Sequence, residues 1–160
     1  MKGLPAISLR RRAFCGAGLS LLLLPTCEAK SMRVHLNISL FSYLNHPIFD
    51  VDMNGTDFMA ASERAFYGAN AVMVMQTIVL GPQSVSWKLD GPEGMPRNGE
   101  LVNANNMPVL HELPEGVKWL ALHIYDDDTV EIKLSKGSRD ELQRERGKKL
   151  IAAWESKIGR

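Results

Sequence analysis

From residue 33 the chain alternates, with Val34, Leu36, Ile38 and Leu40 on one face and His35, Asn37 and Ser39 on the other. A period of two predicts a strand covered on one side. Phe41 and Tyr43 move the apolar phase by one residue, a shift that a bulge or bend absorbs without turning the core face outward. Pro47 has no N–H to give to a ladder and should end it. Phe49, Val51 and Met53 against Asp50 and Asp52 predict a second short strand, closed by Asn54-Gly55, a pair suited to a tight turn. Residues 72–80 are apolar almost without break, and their β-branched content predicts a strand buried on both faces, hence a central one. After Gly81-Pro82, the residues Val85, Trp87 and Leu89 alternate with Ser84, Ser86 and Lys88 in another one-sided strand. Residues 90–99, DGPEGMPRNG, read as a surface loop, because proline and glycine supply turn geometry that no strand accepts.

A strand resumes over 117–125, Asp126-Asp127-Asp128 turns the chain, and Val130, Ile132 and Leu134 return against Thr129, Glu131 and Lys133. This is the clearest hairpin pattern in the chain. Ser138 stands three residues before Glu141, the spacing of a capping box, and Leu150, Trp154 and Ile158 then recur every four residues. That spacing predicts an amphipathic helix over about 138–158, with Gly147 weakening its middle by roughly 1 kcal/mol and the Trp154 end docking onto the sheet. The expected fold is mainly β, an antiparallel sandwich-like arrangement of about six to eight strands with a C-terminal amphipathic α-helix.

The first 29 residues follow a different rule. Lys2, Arg10, Arg11 and Arg12 form a basic leader, and an apolar run of about a dozen residues from Ala13 to Leu24 follows. A helix of that length rises roughly 18 Å, short of the ~30 Å hydrocarbon core, so the run reads as a cleavable export signal rather than a span. Arg11-Arg12-Ala13-Phe14 resembles the twin-arginine pattern, whereas the leucine-rich run suits the general secretory route. Cys27-Glu28-Ala29 places small residues for cleavage after Ala29, and Leu24-Pro25-Thr26-Cys27 resembles a lipoprotein box that would make Cys27 a lipidation site and membrane tether. The expected address is the periplasm, and residues 30–160 then form one domain.

Removing that leader takes three positive charges from the chain's net +1 and leaves about −2, a balance that gives nucleic acid nothing to hold. Both cysteines, Cys15 and Cys27, lie in or beside the leader, so the exported body has no disulfide to lean on. His35, His46, His111 and His123 are scattered, with none at the helical i, i+4 spacing that turns two imidazoles toward one metal. No metal or other cofactor is expected. His123, between Leu122 and Ile124 in a predicted strand, reads as a hydrogen-bonded structural histidine. No serine has the glycine-flanked setting of a nucleophile elbow, so no catalytic residue is assigned.

One ordered set of residues carries a resemblance. Tyr43-Leu44-Asn45-His46, Ile48, Val51 through Asn54-Gly55, Val85-Ser86-Trp87 and the late His123-Ile124-Tyr125 with Val130 and Ser135 span most of residues 35–136. The set is similar to a family of uncharacterised bacterial envelope lipoproteins, some of whose members are encoded as immunity proteins beside type VI secretion phospholipase effectors. Where that family commonly carries a paired cysteine before its central strand, this chain has Gly68-Ala69-Asn70. The resemblance implies a non-enzymatic binding protein that occludes the active site of a cognate secreted effector. Projecting loops would make the contact, and Arg97, Asn98, Asp126, Asp127 and Asp128 are the candidate binding residues. The alternative is a small-molecule or glycan-binding module, for which an aromatic-lined hollow around Trp87 or Trp119 is expected.

Overall fold

A computed structural model describes residues 32–62, 68–137 and 139–159; the leader, Cys27 and Ser138 lie outside the described residues. The chain from Ser31 onward forms one compact unit. Its strands are β1 (Arg33–Ser42), β2 (Ile48–Met53), β3 (Thr56–Ser62), β4 (Gly68–Val79), β5 (Gly81–Pro82), β6 (Val85–Leu89), β7 (Leu101–Asn103), β8 (Val109–Leu110), β9 (Trp119–Ile124) and β10 (Val130–Ser135). A 3₁₀ turn over Arg139–Leu142 and the helix α1 (Glu145–Lys157) follow.

Two four-stranded sheets, in the orders β10-β9-β1-β4 and β3-β2-β6-β7, enclose the main core, and the short β5-β8 pair stands beside them. Leu36, Ile38 and Leu40 of β1 and Leu120, Leu122 and Ile124 of β9 meet Val51, Met53, Val85, Trp87 and Leu89 of the second sheet. The alternation along β1, β6 and β9 therefore places these residues as expected for a mainly β, sandwich-like fold. All described pairings are antiparallel except that of β1 with β9, which run parallel in register from Asn37 opposite Trp119 to Ser42 opposite Ile124. The Asn54-Gly55 turn is formed, with φ of 54° and 75° at its two central residues. The phase shift at Phe41 is also real: between Leu40 and Phe41 the register with β4 slips by one residue.

Four expectations are corrected. The apolar run at 72–80 is not central, because β4 lies at the end of its sheet and Val72, Val74 and Met75 are 42%, 68% and 68% exposed. An apolar run records which residues are hydrophobic, but not whether a neighbouring strand covers them. Here Asn37 stands opposite both Val74 and Met75 and accepts the Met75 N–H at 3.1 Å, which makes a bulge with Met75 at φ 54°. The strand β1, read as covered on one side, is instead buried on both from Ile38 onward, Ser39 included. Phe49 is only half-buried, since Asp50 adopts φ 47° and the ladder is irregular there.

The fourth correction concerns the helix. It begins at Glu145, seven residues later than the capping pattern placed it, and Arg144 at its N-cap is extended with no side-chain cap. The Leu142 carbonyl is bound by His123 Nε2 at 3.0 Å and the Gln143 carbonyl by Lys133 Nζ at 3.0 Å. These two bonds tie the segment before Glu145 to the sheet, and regular helix starts beyond it. Glu141, the second residue of the expected box, accepts from Ser135 Oγ at 2.7 Å instead. Leu150 and Ile151 pack on the sheet, Gly147 is the buried helical position and Trp154 is half-buried, while Ile158 is 45% exposed.

Candidate functional site

The β6–β7 loop and the β9–β10 turn come to one end of the molecule, which brings the five candidate residues into one neighbourhood. Asp128 is near enough to Arg97 to help raise the pKa of its guanidinium, although the larger causes are the hydrogen bond and charge of Glu100. The segment after β7 holds the β9–β10 turn: Asn105 N donates to the Asp128 carbonyl at 2.8 Å and Asn105 Nδ2 to the Asp127 carbonyl at 2.9 Å.

Each loop is held by its own bonds. Arg97 grips Glu100 through Nε at 2.7 Å and Nη2 at 2.9 Å, and Asn98 Nδ2 donates to the Gly91 carbonyl at 3.0 Å. Arg97 itself sits at φ 64° and Asp128 at φ 57°, backbone states that side chains other than glycine seldom adopt. Asp127 accepts from Thr129 Oγ1 at 2.6 Å and from Arg146 Nη2 at 2.8 Å, and these partners lower its carboxyl pKa, the threonine bond first. Three of the five candidates thus carry loop-building bonds, whereas Asp126 projects into solvent. Glu100, Asn105 and Arg146, which complete the arrangement, had no distinguishing spacing in the sequence.

On the outer face of the first sheet, α1 covers a stacked aromatic cluster. His123 lies 4.7 Å from Phe41 and 5.9 Å from Tyr43 between ring centroids, Tyr43 lies 5.1 Å from Tyr125, and the Arg146 guanidinium sits 3.8 Å above the Tyr125 ring. The Leu142 carbonyl can only accept, so His123 Nε2 carries the hydrogen and Nδ1 accepts from the Tyr43 hydroxyl at 3.1 Å. Burial holds His123 neutral, pushing its pKa down to about 4, and raises that of Tyr43 to about 12, with Glu131 adding to the latter. His123 is fully buried, and both ring nitrogens are bonded inside the fold.

The remaining feature lies along β10, the other end of the same sheet. Asn106 pairs with Val130 in both directions, accepting its N–H at 2.7 Å and donating to its carbonyl at 2.9 Å. Beyond Asn106 the chain swings away from β10, and a groove of about 480 Å³ opens, bordered by Val109, Leu110, Ile132, Lys133, Leu134 and Arg144. Arg144 Nη2 donates to the Ile132 carbonyl at 2.6 Å, while its buried Nε has no hydrogen-bond partner and stands 3.6 Å from Glu131. His111 and Glu112 lie on the opposite lip.

Trp87 is fully buried in the main core and offers no open face, whereas Trp119 is half-buried and packed against the cluster under α1. Among the described residues, no group of three or more His, Cys, Asp or Glu is placed to hold a metal ion. No described helix is long and apolar enough to cross a membrane. No protein-family model matches the chain, and no curated protein or solved structure matches it either.

Proposed function

We propose that this protein is a non-enzymatic binding protein of the bacterial envelope that neutralises a secreted lipase-type effector by covering its active site. The observation that supports this reading is the pre-ordered loop end, where Arg97, Asn98 and Asp127 are each fixed by bonds within the domain. A surface that is ordered before the encounter loses little conformational entropy on binding, which is what tight occlusion of a partner requires. Asp126, Asp127 and Asp128 give that end an acidic edge beside Arg97 and Arg146. Charges at an interface rim mainly speed association and make it sensitive to salt.

The test is direct. The purified protein is mixed with the product of the adjacent effector-like gene, and both complex formation and effector lipase activity are measured. A stable complex with lost lipase activity supports the reading, and no complex at micromolar concentrations overturns it.

A further inference from the structure

The groove along β10 has the form of a missing strand. Hydrogen bonding alternates along β10: Thr129 is bonded to Tyr125 across the hairpin, so the odd-numbered residues face β9. The even-numbered residues turn their N–H and C=O groups the other way. Val130 shows this, since both of its groups bond Asn106, and Ile132 shows it through the carbonyl that Arg144 caps. Asn105 and Asn106 follow β10 as far as Val130 and then leave it, so the edge at Ile132 and Leu134 meets no further strand among the described residues. What stands beside it is the groove, with Leu110, Ile132 and Leu134 as apolar lining and Val109, 46% exposed, as a wall. Its volume of about 480 Å³ falls in the ~300–1,000 Å³ range of ligand clefts.

We infer that this groove takes an extended peptide segment of a partner protein, added as a strand to β10 and ending on a carboxylate held by Arg144 and Lys133. Main-chain bonds to Leu134 supply the pairing, and alternate apolar side chains of the segment enter between Val109 and Leu134. The end of the groove is chemically matched to a carboxylate. The Arg144 side chain is 40% exposed; its Nε is paired with Glu131 at 3.6 Å, while the rest of its guanidinium and the Lys133 ammonium carry more donors than the single backbone bond each makes. Glu112 on the other lip repels the same carboxylate and so sets the direction in which the segment lies. This inference deepens the proposed binding function by naming a second place of grip, away from the loop end.

The experiment uses a synthetic hexapeptide of alternating threonine and valine with a free C-terminal carboxylate, titrated into the isotope-labelled protein and followed by amide chemical shifts. Shifts confined to Leu110, Ile132, Leu134 and their neighbours are expected. The C-terminal amide of the same peptide, or the Arg144→Gln protein, should bind at least fivefold more weakly. A peptide N-methylated at alternate amides, which cannot pair with an edge, should not bind. Absence of shifts at Ile132 and Leu134 at millimolar peptide overturns the inference, as does equal binding by the N-methylated or amidated peptide. The overturning outcomes rest on peptide chemistry alone and not on a substitution that could unfold the domain, and none involves the effector. Failure here therefore leaves the lipase assay to decide the loop-end reading separately.

Discussion

Gly147 of α1 rests against the hydroxyl of Tyr43, so that the helix meets the sheet where it carries no side chain. Any Cβ at this position would overlap the phenol. Gly147→Ala should therefore destabilise the protein by about 1–3 kcal/mol through overpacking, even though alanine is favoured over glycine inside helices by about 1 kcal/mol. Urea unfolding measures the sign. A more stable Gly147→Ala protein would mean that the helix does not sit on Tyr43.

His123 should make the fold sensitive to acid. Its pKa falls from the ordinary 6.5 to about 4 because burial penalises the charged ring. The unfolded chain therefore takes up a proton at a higher pH than the folded one does. The stability this group contributes is present above pH 6.5, drains away as the pH falls toward 4, and changes little further below that. The full loss is about 3 kcal/mol. Stability measured from pH 7.5 to 4 should follow that curve, and His123→Gln should flatten it. An unchanged slope in the variant would place the acid sensitivity elsewhere.

Asn106 supplies both bonds to Val130 at the start of the β10 edge. Asn106→Ala leaves the N–H and the carbonyl of that buried residue without partners, and should cost about 1–3 kcal/mol for the pair. Amide exchange offers the local readout: the Val130 amide should lose protection, while those of Leu120 and Leu122 inside the sheet keep theirs.

At the loop end, Asp126→Asn together with Asp128→Asn removes charge while keeping a residue that tolerates the backbone at Asp128. If the acidic edge steers a partner, association with the effector should slow by about tenfold at low salt and lose most of its salt dependence. Dissociation should be little altered. Stopped-flow mixing at two ionic strengths separates the two effects.

Much of the architecture was legible in the sequence because alternation reports on one-sided burial. The Val85-Trp87-Leu89 strand, the Asn54-Gly55 turn and the β9–β10 hairpin all follow from period and turn chemistry. The places of β4 and α1 did not, for a shared physical reason. An apolar run is identical whether its strand is central or at an edge, and a helix start is identical until one knows that His123 and Lys133 tie the segment before it to the sheet. Gly147 is the sharpest case: helix propensity marks it as a weakness, yet its small size is what lets the helix approach Tyr43. The loop residues Arg97, Asn98 and 126–128 could be singled out as exposed. The approach of Asp128 to Arg97 exists only in three dimensions.

The parallel pairing of β1 with β9 joins residues such as Phe41 and His123, and a side-chain bond joins Tyr43 to the same histidine from 80 positions away in the chain. The centre of the first sheet therefore cannot close until its last third is available, and the entropy of closing so long a loop is lost before the contacts that repay it are made. Such a topology folds over milliseconds to seconds rather than microseconds. During that interval β1 has no β9 beside it, and the uncharged β4 stretch, with Val72, Val74 and Met75, adds apolar surface that stays exposed even in the finished sheet. That exposed stretch is where a holding chaperone would have most to grip, and where aggregation would begin without one.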